Sequence, residues 1–371
     1  MKVLHVSGAR SWGGNEQQLL YLIEELNTYG VDQYLFCYEN TPLLDTITTL
    51  NLSVTVITIP FEKPYRKPYR KQLKNVVEDH NFDLIHLHTS DAVTGYTVTD
   101  LFYKLKTRTI FSKKGISRKV SALSKYKYNY KNIHKIVCVS EVVYDHFKEV
   151  LYKKNHHKLC VVHDGVKVVD VDNEFIADIK EELGVSKDIK IIGNIANHTK
   201  AKDLRTLIRT FDILINEKKV KNIHLVQMGE YSKLTPELKS LVSELNLEKF
   251  ISFIGFRKKA SSFLPQFDMY LMTSEREGGP TTVLEALYKK VPVVSTKVGV
   301  VGEAIADGEN GFVTTIGDYE SLANKLNILL EDKWLQNSFS ELSYQKFIDN
   351  YTAKKLGENT FKIYQEVVKQ N

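Results

Sequence analysis

Short apolar runs alternate along the chain with longer stretches whose apolar residues recur at helical spacing. Lys2–Ser7 reads as a buried strand, followed by a loop from Gly8 to Gly14. Glu16–Tyr29 then puts Leu19, Leu22, Ile23 and Leu26 on one helical face, and Gly30 suits its C-terminal stop. Further strands are predicted at Gln33–Tyr38, Val54–Ile59, Leu84–His88, Thr107–Phe111, Lys135–Val139 and Leu159–His163. After the polar stretch Lys167–Asn173 the alternation resumes. It predicts strands at Lys190–Ile195, His224–Met228, Ile251–Ile254, Met269–Met272 and Val291–Ser295, with helices at Leu204–Asn216, Glu237–Leu245 and Thr281–Lys289.

Such alternation predicts an α/β chain of two Rossmann-like, doubly wound domains. The boundaries read as 1–166 and 167–350, with 351–371 a C-terminal helix. Leu356, Phe361, Tyr364 and Val367 are the buried side of that helix, but the sequence does not say where it docks.

Composition changes little in this picture: 43% of the 371 residues are hydrophobic and 26% charged, ordinary for a folded chain. Charge breaks every apolar stretch well before the roughly 20 residues a spanning helix needs. The opening residues are too short and polar for a secretion signal. Cys37, Cys138 and Cys160 each lie in a strand-like run and are widely spaced, which predicts small buried hydrophobes in a reducing cytoplasm rather than a disulfide framework or metal cluster. The net charge of +6 is uneven: positions 60–160 hold 21 Lys/Arg against 9 Asp/Glu.

The chemistry concentrates after the strand Met269–Met272, in Ser274-Glu275-Arg276-Glu277-Gly278-Gly279-Pro280-Thr281-Thr282-Val283-Leu284-Glu285. Gly278 and Gly279 let backbone approach a ligand, and Pro280 suits a first helical turn. Thr281 opens a helix whose amide hydrogens suit a diphosphate. Glu277 and Glu285 can each accept from sugar or ribose hydroxyls. In the first half, His86 and His88 fall on one side of a strand, with His88 at its carboxyl end. Asp170-Val171-Asp172 sits in the linker and reads as a chance match to a metal-binding pattern.

These motifs resemble the retaining GT-B glycosyltransferases of family 4 (glycosyl transferases group 1). Glu277 and Glu285 fill both places of that family's Glu–seven residues–Glu signature. Pro292–Thr296, Gly299–Glu303 and Asp307–Phe312 look like its next blocks in the right order. The resemblance covers nearly the whole chain. It implies two domains facing across a cleft, a UDP- or GDP-sugar donor on the second and an acceptor on the first. It also implies anomeric retention and no required metal or other cofactor.

Residue by residue, the resemblance assigns donor binding to Gly13, Gly14, Asn197, Lys202, Glu277, Gly278, Gly279, Pro280, Thr281 and Glu285, and catalysis to His88, Glu277 and Lys202. Asn197 stands where the family expects an arginine, so Lys200 or Arg257 is the candidate for the second positive charge. The basic, aromatic first half, including Lys113, Lys114, Arg118 and Lys119, suits a glycan, lipid-linked or phosphorylated acceptor and an anionic membrane surface. The expected location is cytoplasmic, peripheral on the inner membrane face, in cell-envelope polysaccharide synthesis. No nucleic-acid-binding module is present. A nicotinamide dehydrogenase lacks its G-x-G-x-x-G. A nucleotide-sugar binder or epimerase of the same fold without transferase activity remains the alternative.

Overall fold

A computed structural model of the chain describes residues 1–116, 120–168 and 176–369. They form two compact units, Met1–Lys167 with Thr352–Asn371, and Val168–Tyr351. Each is built on one parallel sheet.

The first unit's strands are β1 Lys2–Val6, β2 Asp32–Tyr38, β3 Thr55–Ile59, β4 Leu84–Leu87, β5 Arg108–Lys113, β6 Lys135–Cys138 and β7 Leu159–Val161. Their order is β3-β2-β1-β4-β5-β6-β7. The winding direction therefore reverses between β1 and β4, where open α/β sheets bind ligands. His5 on β1 is the register partner of His86 on β4. Helices cover both faces, which is why the strands are apolar almost throughout. One face packs Phe36, Tyr69, Tyr96, Phe111 and Phe147 among its core residues. The other joins Val3, Leu22, Leu26 and Ile110 to Leu356, Tyr364 and Val367.

That second cluster answers the question of the last helix. Ala353–Lys369 docks on the first unit, although it follows the second in sequence. Tyr29 and Phe361 stack with centroids 4.7 Å apart, and Ala353 N donates to Val166 O at 2.9 Å. All three cysteines are free, and burial pushes their thiols up, Cys37 and Cys138 to about 12 and Cys160 to about 11.

The second unit contains β8 Lys190–Ile195, β9 Ile223–Met228, β10 Ile251–Phe253, β11 Met269–Met272, β12 Val293–Thr296 and β13 Phe312–Thr314, in the order β10-β9-β8-β11-β12-β13. The reversal again falls beside its first strand, between β8 and β11. Gly193 has no side chain because a Cβ there would lie 1.9 Å from the Phe267 ring. The helix expected over Leu204–Asn216 is α-helical only to Asp212 and ends in a π turn, Ile213–Glu217. Asp170 and Asp172 lie outside the described residues. Among the described residues no helix is long and apolar enough to cross a membrane.

Candidate functional site

In the second unit, two loops leave neighbouring strands at the reversal point. The loop after β8 carries Asn197 to Asp203, and the loop after β11 carries Thr273 to Pro280. Two bonds fasten them together: Glu275 N donates to Ala201 O at 2.8 Å, and the Thr273 hydroxyl donates to Asp203 O at 3.0 Å.

This stitching brings together two residues 75 positions apart. Lys202 Nζ donates to Glu277 Oε1 at 2.5 Å, and Ser274 Oγ donates to the same oxygen at 2.8 Å. The lysine and glutamate side chains keep 28% and 14% of their surface exposed, so the pair is half-buried but reachable. Ser274, buried and not singled out from sequence, is held in turn by Thr296 Oγ1 donating to its carbonyl at 2.7 Å.

The helix after the elbow is Thr281–Tyr288, and no side chain caps its amino end. Pro280 is its N-cap rather than its first residue. The elbow is braced from behind, where Val300 N donates to Gly278 O at 3.1 Å. Gly299 is required there: its φ is +52°, and a Cβ would lie 2.4 Å from Gly278 O.

Glu285, one turn into the helix, is half-buried and bonded to Ser261. Burial pushes its carboxyl up to about 7, against the bond from Ser261 and the Lys289 charge. Tyr270, on β11, ties the start of this helix to the sheet: its hydroxyl donates to Thr282 Oγ1 at 3.0 Å. Burial raises its phenol, and the charges of Glu277 and Glu285 raise it further.

Asn197, at the expected arginine place, does local work: its Oδ1 accepts from Glu230 N at 2.9 Å. Of the two candidates for the second charge, Arg257 is committed to Glu182. Lys200 is exposed and has no ion-pair partner among the described residues. It lines a cavity of about 330 Å³ with Thr199, Asp203 and Glu275.

In the first unit, Gly13 is the N-cap of the helix Gly14–Thr28, as a strand-to-helix glycine loop requires. Yet the carboxylate of Glu16 accepts from the amides of Gly13 and Glu16 itself. A protein carboxylate thus already takes the place an anion would occupy at that amino end, which weighs against Gly13 and Gly14 as phosphate ligands.

His88 lies one residue beyond β4, and its ring sits 3.9 Å from that of His86. His5, which the sequence reading passed over, completes the group: its Nδ1 is 2.9 Å from His88 Nε2. The signal was visible, as a histidine inside Val3-Leu4-His5-Val6 is an odd polar residue in a buried strand. The ligand atoms of His5, His86 and His88 lie within 4.8 Å of one another, a spacing open to a metal ion. Hydrogen bonds already engage both ring nitrogens of two of them. His5 meets His88 and Gln33, and His86 meets Tyr364 and Ser112 at 2.6 and 2.7 Å. Burial holds all three rings neutral, His5 at about 4 and the others well below their ordinary value.

Two of the lysines read as an open basic surface are not one. Lys114 is paired with the buried Asp164. Lys113 is half-buried, its ammonium 5.3 Å from the centre of the Phe147 ring, and burial lowers its pKa. Both therefore stand partly buried against the fold, not on the openly exposed basic face that the charge run suggests. Arg118 and Lys119 lie outside the described residues.

Comparison with known proteins agrees with this architecture. The family model "Glycosyltransferase Family 4" matches residues 12–169, and "Glycosyl transferases group 1" matches residues 175–346. N-acetyl-alpha-D-glucosaminyl L-malate synthase of Bacillus anthracis is 26% identical over 196 residues, 53% of this chain and 50% of that protein. The lipopolysaccharide core biosynthesis glycosyltransferase LpsE of Rhizobium meliloti is 22% identical over 239 residues, 64% of this chain and 66% of that protein. The chain thus spans about half to two thirds of the length of these curated relatives. Anabaena HepE, solved with UDP and glucose, superposes with a TM-score of 0.80 at 18% identity, covering 99% of this chain and 100% of that one. With one family model on each unit and the GT-B fold beneath both, the chain belongs to the group 1, family 4 glycosyltransferases.

Proposed function

We propose that the protein transfers a sugar from a nucleoside-diphosphate sugar to a glycan, lipid-linked or phosphorylated acceptor in cell-envelope polysaccharide synthesis, with the anomeric configuration retained. The observation that carries this is the Lys202–Glu277 pair beside the uncapped amino end of Thr281–Tyr288. A cation and a set of backbone amides together stabilise the charge that grows on a leaving diphosphate. In this reading Glu277 and Glu285 accept hydrogen bonds from hydroxyls of the sugar and the ribose. The name of LpsE supports the envelope role, and the UDP held by HepE supports a uridine donor.

In the reaction, the acceptor oxygen bonds to C1 as the C1–O bond to the diphosphate breaks. The acceptor's proton passes to an oxygen of the departing diphosphate. Lys202 and the amides of the helix start, not a protein nucleophile, carry this step.

A panel of UDP-, GDP- and ADP-sugars tests the reading by thermal shift and by turnover. A shift with release of the nucleoside diphosphate supports transfer. A shift without turnover would reduce the protein to a binder, and no shift with any donor would overturn the assignment.

A further inference from the structure

The side chain of Gln33 anchors a chain of hydrogen bonds whose polarity can be read link by link. Its Nε2 donates to Ile23 O at 2.9 Å and to Asn27 Oδ1 at 2.6 Å. Two oxygens on that side fix the amide, because its nitrogen only donates and its oxygen only accepts. Oε1 therefore faces His5 Nε2, 3.0 Å away, and His5 must carry its proton on Nε2.

His5 is fully buried and neutral at ordinary pH, so it holds a single ring proton. With that proton on Nε2, its Nδ1 is a lone pair. His88 Nε2 lies 2.9 Å from it and must donate. His88 is neutral for the same reasons of burial and neighbouring rings. Its one proton is thus committed to His5, and its Nδ1 remains a lone pair with no partner among the described residues. The residue keeps 9% of its surface exposed. His86 differs, since its two partners are hydroxyls that can each donate or accept.

We propose that His5 and Gln33 are positioning residues that lock His88 in the Nε2–H tautomer, so that His88 meets the substrate as a hydrogen-bond acceptor. Nδ1 takes a bond from a hydroxyl of the transferred sugar and offers nothing to a bare phosphate oxygen. The locked polarity selects a donor group at that point of the substrate. The substrate contact rests on the function proposed above; the tautomer does not.

Nitrogen-15 spectra of the full-length protein, labelled at histidine, test the lock directly. The wild type is expected to show His88 with Nε2 protonated and Nδ1 bare; the reverse pattern overturns the proposal. Gln33→Met removes the fixed acceptor, and a mixed tautomer at His88 is expected; an unchanged pattern overturns the role of Gln33. The kinetic arm follows UDP release from UDP-glucose and UDP-N-acetylglucosamine. His5→Leu is expected to lower kcat roughly tenfold with KM within about twofold. His5→Asn, whose amide oxygen can accept from His88, is expected to recover most of that loss. Equal loss in both variants overturns the positioning role. Full turnover by His88→Ala overturns the sugar contact, while the tautomer read by nitrogen-15 stands or falls separately.

Discussion

Lys202 Nζ sits 2.5 Å from Glu277 Oε1, linking the loop after β8 to the loop after β11 at the point where the sheet reverses. Lys202→Ala removes the cation that the proposed reading sets against a diphosphate, and leaves Glu277 with Ser274 alone. A hydrogen bond to a charged group contributes about 1.5–3 kcal/mol, so UDP should raise the melting temperature of the variant far less than that of the wild type. Scanning fluorimetry across a UDP series reads this, and an equal shift in both proteins would remove Lys202 from the site.

Glu285 makes stability depend on pH in a stated direction. Its folded pKa of about 7 lies above the ordinary 4.5, so the folded state favours the protonated form. The stabilisation is complete below pH 4.5 and is lost as pH rises through 7. Glu285→Gln cannot ionise. Urea unfolding at pH 5 and pH 8.5 should show the wild type losing up to about 3 kcal/mol relative to the variant over that range. A constant difference between the two proteins would contradict the raised carboxyl of Glu285.

Lys114 and Asp164 form an ion pair with 15% and 6% of their side chains exposed. Lys114→Met strands a buried carboxylate, at a cost of roughly 3–5 kcal/mol. The double variant Lys114→Met/Asp164→Leu should recover much of it. Denaturant midpoints decide the matter; a single variant as stable as the wild type would show the lysine to be a surface charge after all.

A second basic, aromatic group in the first unit is openly exposed and can be tested for membrane binding. Arg66, Lys67 and Lys71 are exposed next in sequence to the exposed Tyr65, and Arg70 lies over the exposed Phe102 ring at 4.0 Å. Reversing Lys67 and Lys71 to Glu should weaken co-sedimentation with phosphatidylserine vesicles by about 1 kcal/mol or more per charge. The wild type's binding should fade as salt rises. Wild-type binding by the double variant would rule out this surface.

The legible parts of the sequence were those set by a local rule. A parallel strand covered on both faces is a continuous apolar run, so Met269–Met272 and Lys190–Ile195 are found at the expected bounds. The glycine elbow and its two glutamates were readable because residue type and spacing alone specify a turn and a helix start. What the sequence hid depends on long-range pairing. His5 reaches His88 across 83 positions, Lys114 reaches Asp164 across 50, and Tyr364 reaches His86 across 278. The docking of the last helix was unreadable for the same reason: its apolar stripe shows a buried face but not which sheet covers it. Lys113 and Lys114 look like an open charge run because sequence does not tell whether water, an aromatic ring or a buried carboxylate receives each ammonium.

On the proposed reading, the elbow at Glu277–Thr281 holds a nucleoside diphosphate whose hydroxyl groups bond to Glu285. Calorimetric titration of UDP into the wild type and into Glu285→Ala tests this directly. The wild type should bind, and the variant should bind about tenfold more weakly or worse, since a hydroxyl loses a carboxylate partner. Equal affinities in the two proteins, or no heat of binding in the wild type, would contradict it.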